Sequence, residues 1–329
     1  MGADHIHRHD SQERIGWWLI CNLQESIHEQ VKMTPASDWS KPGPLCDVLS
    51  AAADVLTHTQ GRTGCRVDIE GESLLISGDL HDNLPNFNRI IHAASLEESS
   101  HHLLLQELIH GPNLHHGCDM SWRMLGRVAT LITTYPGRVH PLLGNHENSQ
   151  LMRVGVTKGD GNSVEQFEEG LAMSFGEDWE DVSDAINLLL AAMPLAVRTP
   201  NGVQCSHALP DHAWMSRFDA DVLDRVLSRD DRCGPFGDGY QMTWGRRFTA
   251  AQLADLAEYW GVEVFVIGHL NIETASVRIE DCAMAIASDS DSGGVVTVDL
   301  TVPVDRDTIF NGVQMIQTLP LQAGVSPWA

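Results

Sequence analysis

The chain of 329 residues carries 21 Lys and Arg against 45 Asp and Glu, a formal net charge of -24. An acidic surface of that size argues against binding to a phosphate backbone as the main activity, so no nucleic-acid partner is expected, and an anionic substrate would need local cations or metals to receive it. The length exceeds the usual single core and predicts one large domain with additions, or two domains.

Residues 1–10 hold His5, His7 and His9 among acidic neighbours and lack the basic, apolar, small-residue order of a signal peptide, which reads as a disordered leader. The apolar cluster Ile15 to Leu23 is too short to span a bilayer, so no membrane partner is expected. Cys21, Cys46, Cys65, Cys118, Cys205, Cys233 and Cys282 are scattered and never form a Cys-x-x-Cys pair. That pattern fits a reducing compartment and a soluble cytoplasmic protein, with neither a disulfide framework nor a zinc ribbon.

From Gln12 to Met33 the residues Ile20, Leu23, Ile27 and Val31 recur at helical spacing, with Trp17 and Trp18 widening the apolar face. A breaker stretch, Thr34 to Pro44, precedes a second helical pattern through Leu45, Leu49, Ala52 and Leu56. Residues 1–64 thus form a leader and helical extension, and 65–329 the main domain. In that domain Cys65 to Glu70 alternates as a strand, Gly71 turns, and Ser73 to Ser77 is a second strand. Then come a helix through Leu84, Phe87, Ile90 and Ile91, a strand at Leu103 to Leu105, a helix from Met124 to Ile132 and a strand from Val139 to Leu143. Strands alternating with helices predict an α/β fold. Helices near Val164 to Phe175 and Trp179 to Ala192 make an inserted cap over about residues 152–195. A hairpin about Asn201-Gly202, a helix from Ala251 to Trp260, a strand from Val262 to Ile267 and short strands near Ala283 to Ala287 and Val295 to Leu300 complete the chain.

Five places carry metal-ligating residue types just after an apolar strand: Asp79 and His81 after Leu-Leu-Ile-Ser-Gly, Glu107, Asn145 after Pro-Leu-Leu-Gly, His207 after Val-Gln-Cys-Ser, and His269 after Val-Phe-Val-Ile-Gly. Open sheets collect ligands at the carboxyl ends of their strands, and the repetition of that setting points to one site. Mixed carboxylate, imidazole and amide oxygen suits divalent ions such as manganese, iron or zinc.

These residues stand in blocks that resemble the calcineurin-like metallophosphoesterases, within them the phosphoprotein phosphatase branch of serine/threonine phosphatases and diadenosine tetraphosphatases. Gly78-Asp79-Leu80-His81 matches the Gly-Asp-x-His motif, and Leu142-Leu143-Gly144-Asn145-His146-Glu147 the Gly-Asn-His-Glu block. Cys205-Ser206-His207-Ala208-Leu209-Pro210 looks like a third motif with a glycine lost, and Gly268-His269 like the late Gly/Ala-His. The resemblance covers roughly Val67 to Leu300. It implies two mixed sheets packed face to face with helices on both outer sides, a four-layer α-β-β-α sandwich. It further implies two divalent cations, manganese first with iron or zinc as alternatives. Asp79, His81 and Glu107 would hold one and Glu107, Asn145, His207 and His269 the other, with a hydroxide between them. His146 would then be the general acid, and Arg246 in Thr243-Trp244-Gly245-Arg246-Arg247 would bind phosphate with Asn145, Arg247 being the alternative.

The chain departs from that pattern at Gln106-Glu107-Leu108-Ile109-His110-Gly111-Pro112, where the family has Gly-Asp-x-x-Asp-Arg-Gly. Glu107 is a methylene longer than the bridging Asp, and His110 replaces the Asp that orients the catalytic histidine. A neutral His110 can accept a hydrogen bond but cannot supply charge. The following connection, with His115 and His116, is longer than usual, and Asp119 is a candidate replacement carboxylate. Asp82 reads as the N-cap of the helix from Leu84, or as a partner of a ligating histidine. The expected activity is hydrolysis of a phosphomonoester, a phosphoprotein or a dinucleoside polyphosphate. The alternative is a catalytically weak metal-binding regulatory protein that keeps the fold.

Overall fold

The computed structural model describes residue 39 and residues 41–155, 157, 158 and 161–320. All of them belong to the second of the chain's two units, Trp39–Ala329. The leader histidines and the helix expected from Gln12 to Met33 lie outside the described residues. No helix among the described residues is long and apolar enough to cross a membrane.

Two mixed sheets form the centre. The five-stranded sheet runs, in order of neighbours, Gln314–Met315, Gly294–Asp299, Ser73–Asp79, His101–Gln106 and Val139–Pro141. The seven-stranded sheet runs Arg62–Thr63, Arg66–Asp68, Ala196–Arg198, Val203–Ser206, Val264–Ile267, Ala283–Ile286 and Ser276–Ile279. The strands Arg66–Asp68 and Ser73–Asp79 fall in different sheets, so the Gly71 turn carries the chain from one layer to the other. Side-chain alternation explains why the sheets stack. Leu74, Ile76 and Leu104 of one sheet join Val203, Cys205, Val264, Val266, Met284 and Ile286 of the other in a single buried layer. The intervening residues, Leu75, Leu103, Leu105, Phe265 and Ile267, belong to a second apolar cluster shared with the helices. Helices Leu84–Ala94 and Trp122–Thr134 lie on the outer face of the five-stranded sheet. Helix Ala250–Trp260 covers the other sheet, with the Trp260 ring edge-on to Phe265 at 6.0 Å. The result is the four-layer arrangement of helices outside two mixed sheets.

The second expected helix spans Pro42–Thr57, beginning before the end of the proposed breaker. Prolines 42 and 44 fall in its first turn, where backbone N–H groups have no intrahelical acceptor and a missing donor costs nothing. Its buried Leu45, Leu49, Ala52 and Leu56 pack against helices Trp122–Thr134 and Trp179–Ala192. The cap helices run Ser163–Phe175 and Trp179–Ala192. Asp82 does not cap the helix that starts at Leu84. Asn83 does, its side chain accepting from the Asn86 N–H at 3.0 Å. Asp82 itself has φ 57, which turns it out of the extended conformation an N-cap requires. The strand expected from Val139 to Leu143 ends at Pro141, and a short helix, Asn145–Met152, follows.

Candidate functional site

Asp79 ends a central strand whose partner strand runs parallel, placing Asp79 opposite Gln106. The Gly78 N–H donates to the Ser288 Oγ at 2.8 Å, and the Ser288 N–H donates to the Asp79 carbonyl at 3.1 Å. Glycine is required at 78, because a Cβ there would lie 2.0 Å from the Ile286 carbonyl oxygen. Asp79 is then held from the facing sheet, since its two carboxylate oxygens accept the His269 N–H at 3.1 and 3.0 Å. Gly268 makes that approach feasible: a Cβ would meet Asp79 Oδ1 at 2.2 Å.

Around this pair the strand ends converge. Asn145 Oδ1 lies 2.9 Å from His207 Nε2 and 2.9 Å from His269 Nδ1. Glu107 Oε2 is 3.5 Å from His207 Nε2 and 3.7 Å from His81 Nε2, and Glu107 Oε1 accepts the His146 backbone N–H at 3.1 Å. The extra methylene of Glu107 is what carries its carboxylate to that donor. Ligand atoms of Glu107, His207 and His269 all lie within 4.8 Å of one another, and so do those of His81, Glu107 and His146. Glu107 is common to both groups. The six residues expected as ligands, Asp79, His81, Glu107, Asn145, His207 and His269, are thus brought together from five strand ends.

The backbone is under load here. Among the described residues nine non-glycines have positive φ, and His81, Asp82, Glu107, His110 and His269 are five of them, at 46°, 57°, 42°, 61° and 62°. Left-handed conformations of that kind cost roughly 1–3 kcal/mol each and persist where the surroundings over-determine them.

Burial also loads the titratable groups. It lifts the Asp79 carboxyl to about 6 and that of Glu147 to about 7. Glu107 is pushed well above the carboxylate range by burial and then by its neighbours Asp79 and Glu147. Burial, followed by the cationic Arg246, lowers His269 to about 3, and His207 is held well below its ordinary value by burial and nearby histidines. The two buried carboxyls of Asp79 and Glu107 beside two neutral imidazoles and an amide oxygen form a donor set that a divalent cation fits, because its charge would relieve the cost of ionising the carboxyls and the unprotonated imidazoles keep a lone pair for it.

Asp79, His81, Glu107, Asn145 and His269 line a cavity of about 320 Å³ whose wall also includes His146, Arg246, Asn271 and Asp289, while His207 is fully buried. Arg246 reaches this cavity, whereas Arg247 donates from Nε to Asp211 at 2.9 Å on the surface. Trp244 stands edge-on to His269, with ring centroids 5.8 Å apart. His110 packs beside His146, ring centroids 5.2 Å apart at 64°. Asp119 does not join the ligands; its Oδ2 lies 2.7 Å from His110 Nδ1.

Glu147, Ser288 and Asp289 take part without having been singled out by spacing. Glu147 is fully buried, and its Oε1 accepts the Leu108 N–H at 2.7 Å and the Ile109 N–H at 3.3 Å, which fixes the turn that presents Glu107. The Gly-Asn-His-Glu block contains its signal. Ser288 and Asp289 follow a short strand in an acidic, serine-rich stretch that reads as an ordinary loop.

The calcineurin-like phosphoesterase family matches residues 73–272. A protein serine/threonine phosphatase from Saccharomyces cerevisiae with similarity to human phosphatase PP5 superposes with a TM-score of 0.58 at 13% identity, covering 86% of this chain and 89% of that one. The cold-active protein-tyrosine phosphatase of a psychrophilic Shewanella gives 0.48 at 15% identity over 75% and 79% of the two chains. A putative diadenosine tetraphosphatase gives 0.40 at 15% identity over 73% and 96%. Among curated proteins no relative matches by sequence. At 13% identity the yeast phosphatase structure speaks to the fold alone, and the family match, which spans more than half of the chain, speaks to descent. The chain belongs to the calcineurin-like phosphoesterases, hydrolases of phosphate esters.

Proposed function

We propose that this protein is a metal-dependent phosphoesterase acting on phosphomonoesters, phosphoproteins or dinucleoside polyphosphates. The observation that carries the reading is the convergence of six ligand-type side chains, five of them lining one cavity together with a separate imidazole, His146, and an arginine, Arg246, and the sixth, His207, buried against Asn145. Asp79, His81 and Glu107 would hold one divalent cation, and Glu107, Asn145, His207 and His269 the second, with manganese the first expectation and iron or zinc the alternatives. Bound there, such ions supply the positive charge that draws in an anionic ester and activates water.

The chain's own residues account for the rest. Arg246 meets the phosphate with a planar fork of donors, offsetting locally the repulsion of a protein of net charge -24. Asn145 can contribute its side-chain N–H groups while its Oδ1 faces the two histidines. Hydrolysis joins the OH of water to phosphorus, breaks the bond to the leaving oxygen and requires a proton on that oxygen. His146, held through its backbone by Glu107, delivers that proton. The test is to load the purified protein with Mn²⁺, count bound metal and follow hydrolysis of an aryl phosphate. His146→Ala is expected to keep its metal and lose about 100-fold or more in kcat. Equal rates for wild type, His146→Ala and Glu107→Ala would end the enzymatic reading, and metal binding without turnover would favour a regulatory protein.

A further inference from the structure

We propose that Asp119 is the residue that orients the catalytic histidine, acting at one remove through His110. The inference rests on the phosphoesterase reading above and names a positioning residue for it. His110 alone is a poor orienting group: its ring is symmetric enough to turn over, and in its neutral form it brings no charge to a neighbouring imidazole.

The geometry around it removes both shortcomings. Asp119 Oδ2 lies 2.7 Å from His110 Nδ1, and the two residues are 3% and 2% exposed, so water does not compete for the bond. The bond assigns the proton to Nδ1 and makes Nε2 the other, acceptor side of the ring. Asp119 is itself fixed, because its Oδ1 accepts the Ser121 N–H at 2.8 Å. Ser121 closes the circuit by accepting the His110 backbone N–H on its Oγ at 3.1 Å. That closed set of bonds holds His110 in its left-handed backbone conformation, φ 61°. The ring is gripped from two sides, by His146 at 5.2 Å and edge-on by Phe167 at 5.5 Å.

The added connection and the cap serve the same end. The chain between His110 and Asp119 folds back so that the Asp119 N–H donates to the Gln166 carbonyl at 2.9 Å. Gly170 backs the Asp119 carbonyl so closely that a Cβ would sit 1.9 Å from its oxygen. Helix Ser163–Phe175 therefore presses Asp119 onto His110. The carboxylate missing from position 110 is restored nine residues on, with an imidazole as the spacer.

The test is a leaving-group series. Wild type, Asp119→Asn, His110→Ala, the double variant and His146→Ala, loaded with Mn²⁺, are assayed on aryl phosphates whose phenols range from strongly acidic to weakly acidic. Asp119→Asn is expected to lower kcat about 10- to 100-fold on the least acidic phenol and under about threefold on the most acidic, which needs no proton. KM, bound metal and melting temperature should stay close to wild type, and the double variant should be no slower than His110→Ala alone. In metal-free protein, ¹⁵N-edited spectra should place the His110 proton on Nδ1, with its low-field resonance lost in Asp119→Asn. A uniform fall across the series, multiplicative losses in the double variant, or a proton on Nε2 would overturn this proposal while leaving the phosphoesterase reading intact. No turnover by the metal-loaded wild type, or a His146→Ala variant as active as wild type, would remove both.

Discussion

The strand-end half of the site and the turn after the His101–Gln106 strand are built by different means. The Asp79 carboxylate is held by the His269 backbone N–H and by close packing at Gly78 and Gly268, and the His207 and His269 rings meet Asn145 directly at the strand ends, so this half follows from the sheets themselves. The turn from Glu107 to His110 depends on side chains recruited from elsewhere: Glu147 takes two of its N–H groups, and Asp119 takes its imidazole. A motif can therefore lose its letters and keep its shape when buried carboxylates from other elements supply the bonds. The corollary is that the recruited half should be the more fragile to single substitutions remote from the ligands.

The largest effect should come from the strand-end half. His207→Ala removes a fully buried donor that faces both Asn145 and Glu107. It should lower bound metal from two ions to one and turnover by more than about 100-fold, several kcal/mol of transition-state stabilisation. Elemental analysis beside the aryl phosphate assay checks both. Retention of two ions would show that the strand ends do not hold the second cation.

Next comes the recruited half. Glu147→Ala leaves the buried Leu108 and Ile109 N–H groups without their acceptor, a cost of about 2–4 kcal/mol for two unmet donors. Metal affinity should fall about 10- to 100-fold because Glu107 loses its platform. Urea unfolding and metal titration measure these. A stability unchanged from wild type would break the contrast between the two halves.

Smaller again is a dependence on pH that both halves share. Asp79 and Glu147 have folded values of about 6 and about 7, raised by burial above the unfolded carboxyl range. The metal-free fold holds protons that the unfolded chain has already released, so its stability is full below about pH 4 and declines as pH rises toward 7. A cation binds the deprotonated carboxylates, so stabilisation by added Mn²⁺ should grow over the same window, read from melting temperatures with and without metal at pH 4.5 and 7.5. Stabilisation that is flat with pH would place the cation elsewhere.

The smallest test separates two adjacent arginines. Arg246→Ala should raise KM about tenfold, the loss of one charge-assisted phosphate contact. Arg247→Ala, removing a surface pair with Asp211 whose arginine side chain is 71% exposed, should change kinetics and stability by little.

The layered fold was legible because its strands are bounded apolar runs and its cap helices keep a helical period; Ser163–Phe175 and Trp179–Ala192 fall almost where spacing puts them. The six candidate ligands were legible as residues that share a place, because each follows an apolar run that ends at the same edge of the sheets. What spacing could not supply were contacts made across the chain. The sequence offers Asp119 as a replacement carboxylate, but nothing local sets it against the His110 ring, and nothing marks Glu147 as the acceptor for Leu108, since each bond joins residues whose approach is fixed only by tertiary packing. Proline misled in the opposite direction: at Pro42 and Pro44 it reads as a breaker, yet it opens a helix.

The left-handed peptide units at His81, Asp82, Glu107, His110 and His269 bear on protein engineering. Such units are where glycine is the easy replacement, so a screen for heat resistance would be drawn to them, trading strain for slack in the very loops that aim the ligands. Asp82 is the exception, since its side chain belongs to neither ligand cluster and burial already pushes its carboxyl up to about 7. Relaxing that one position offers a more robust protein whose chemistry is left in place.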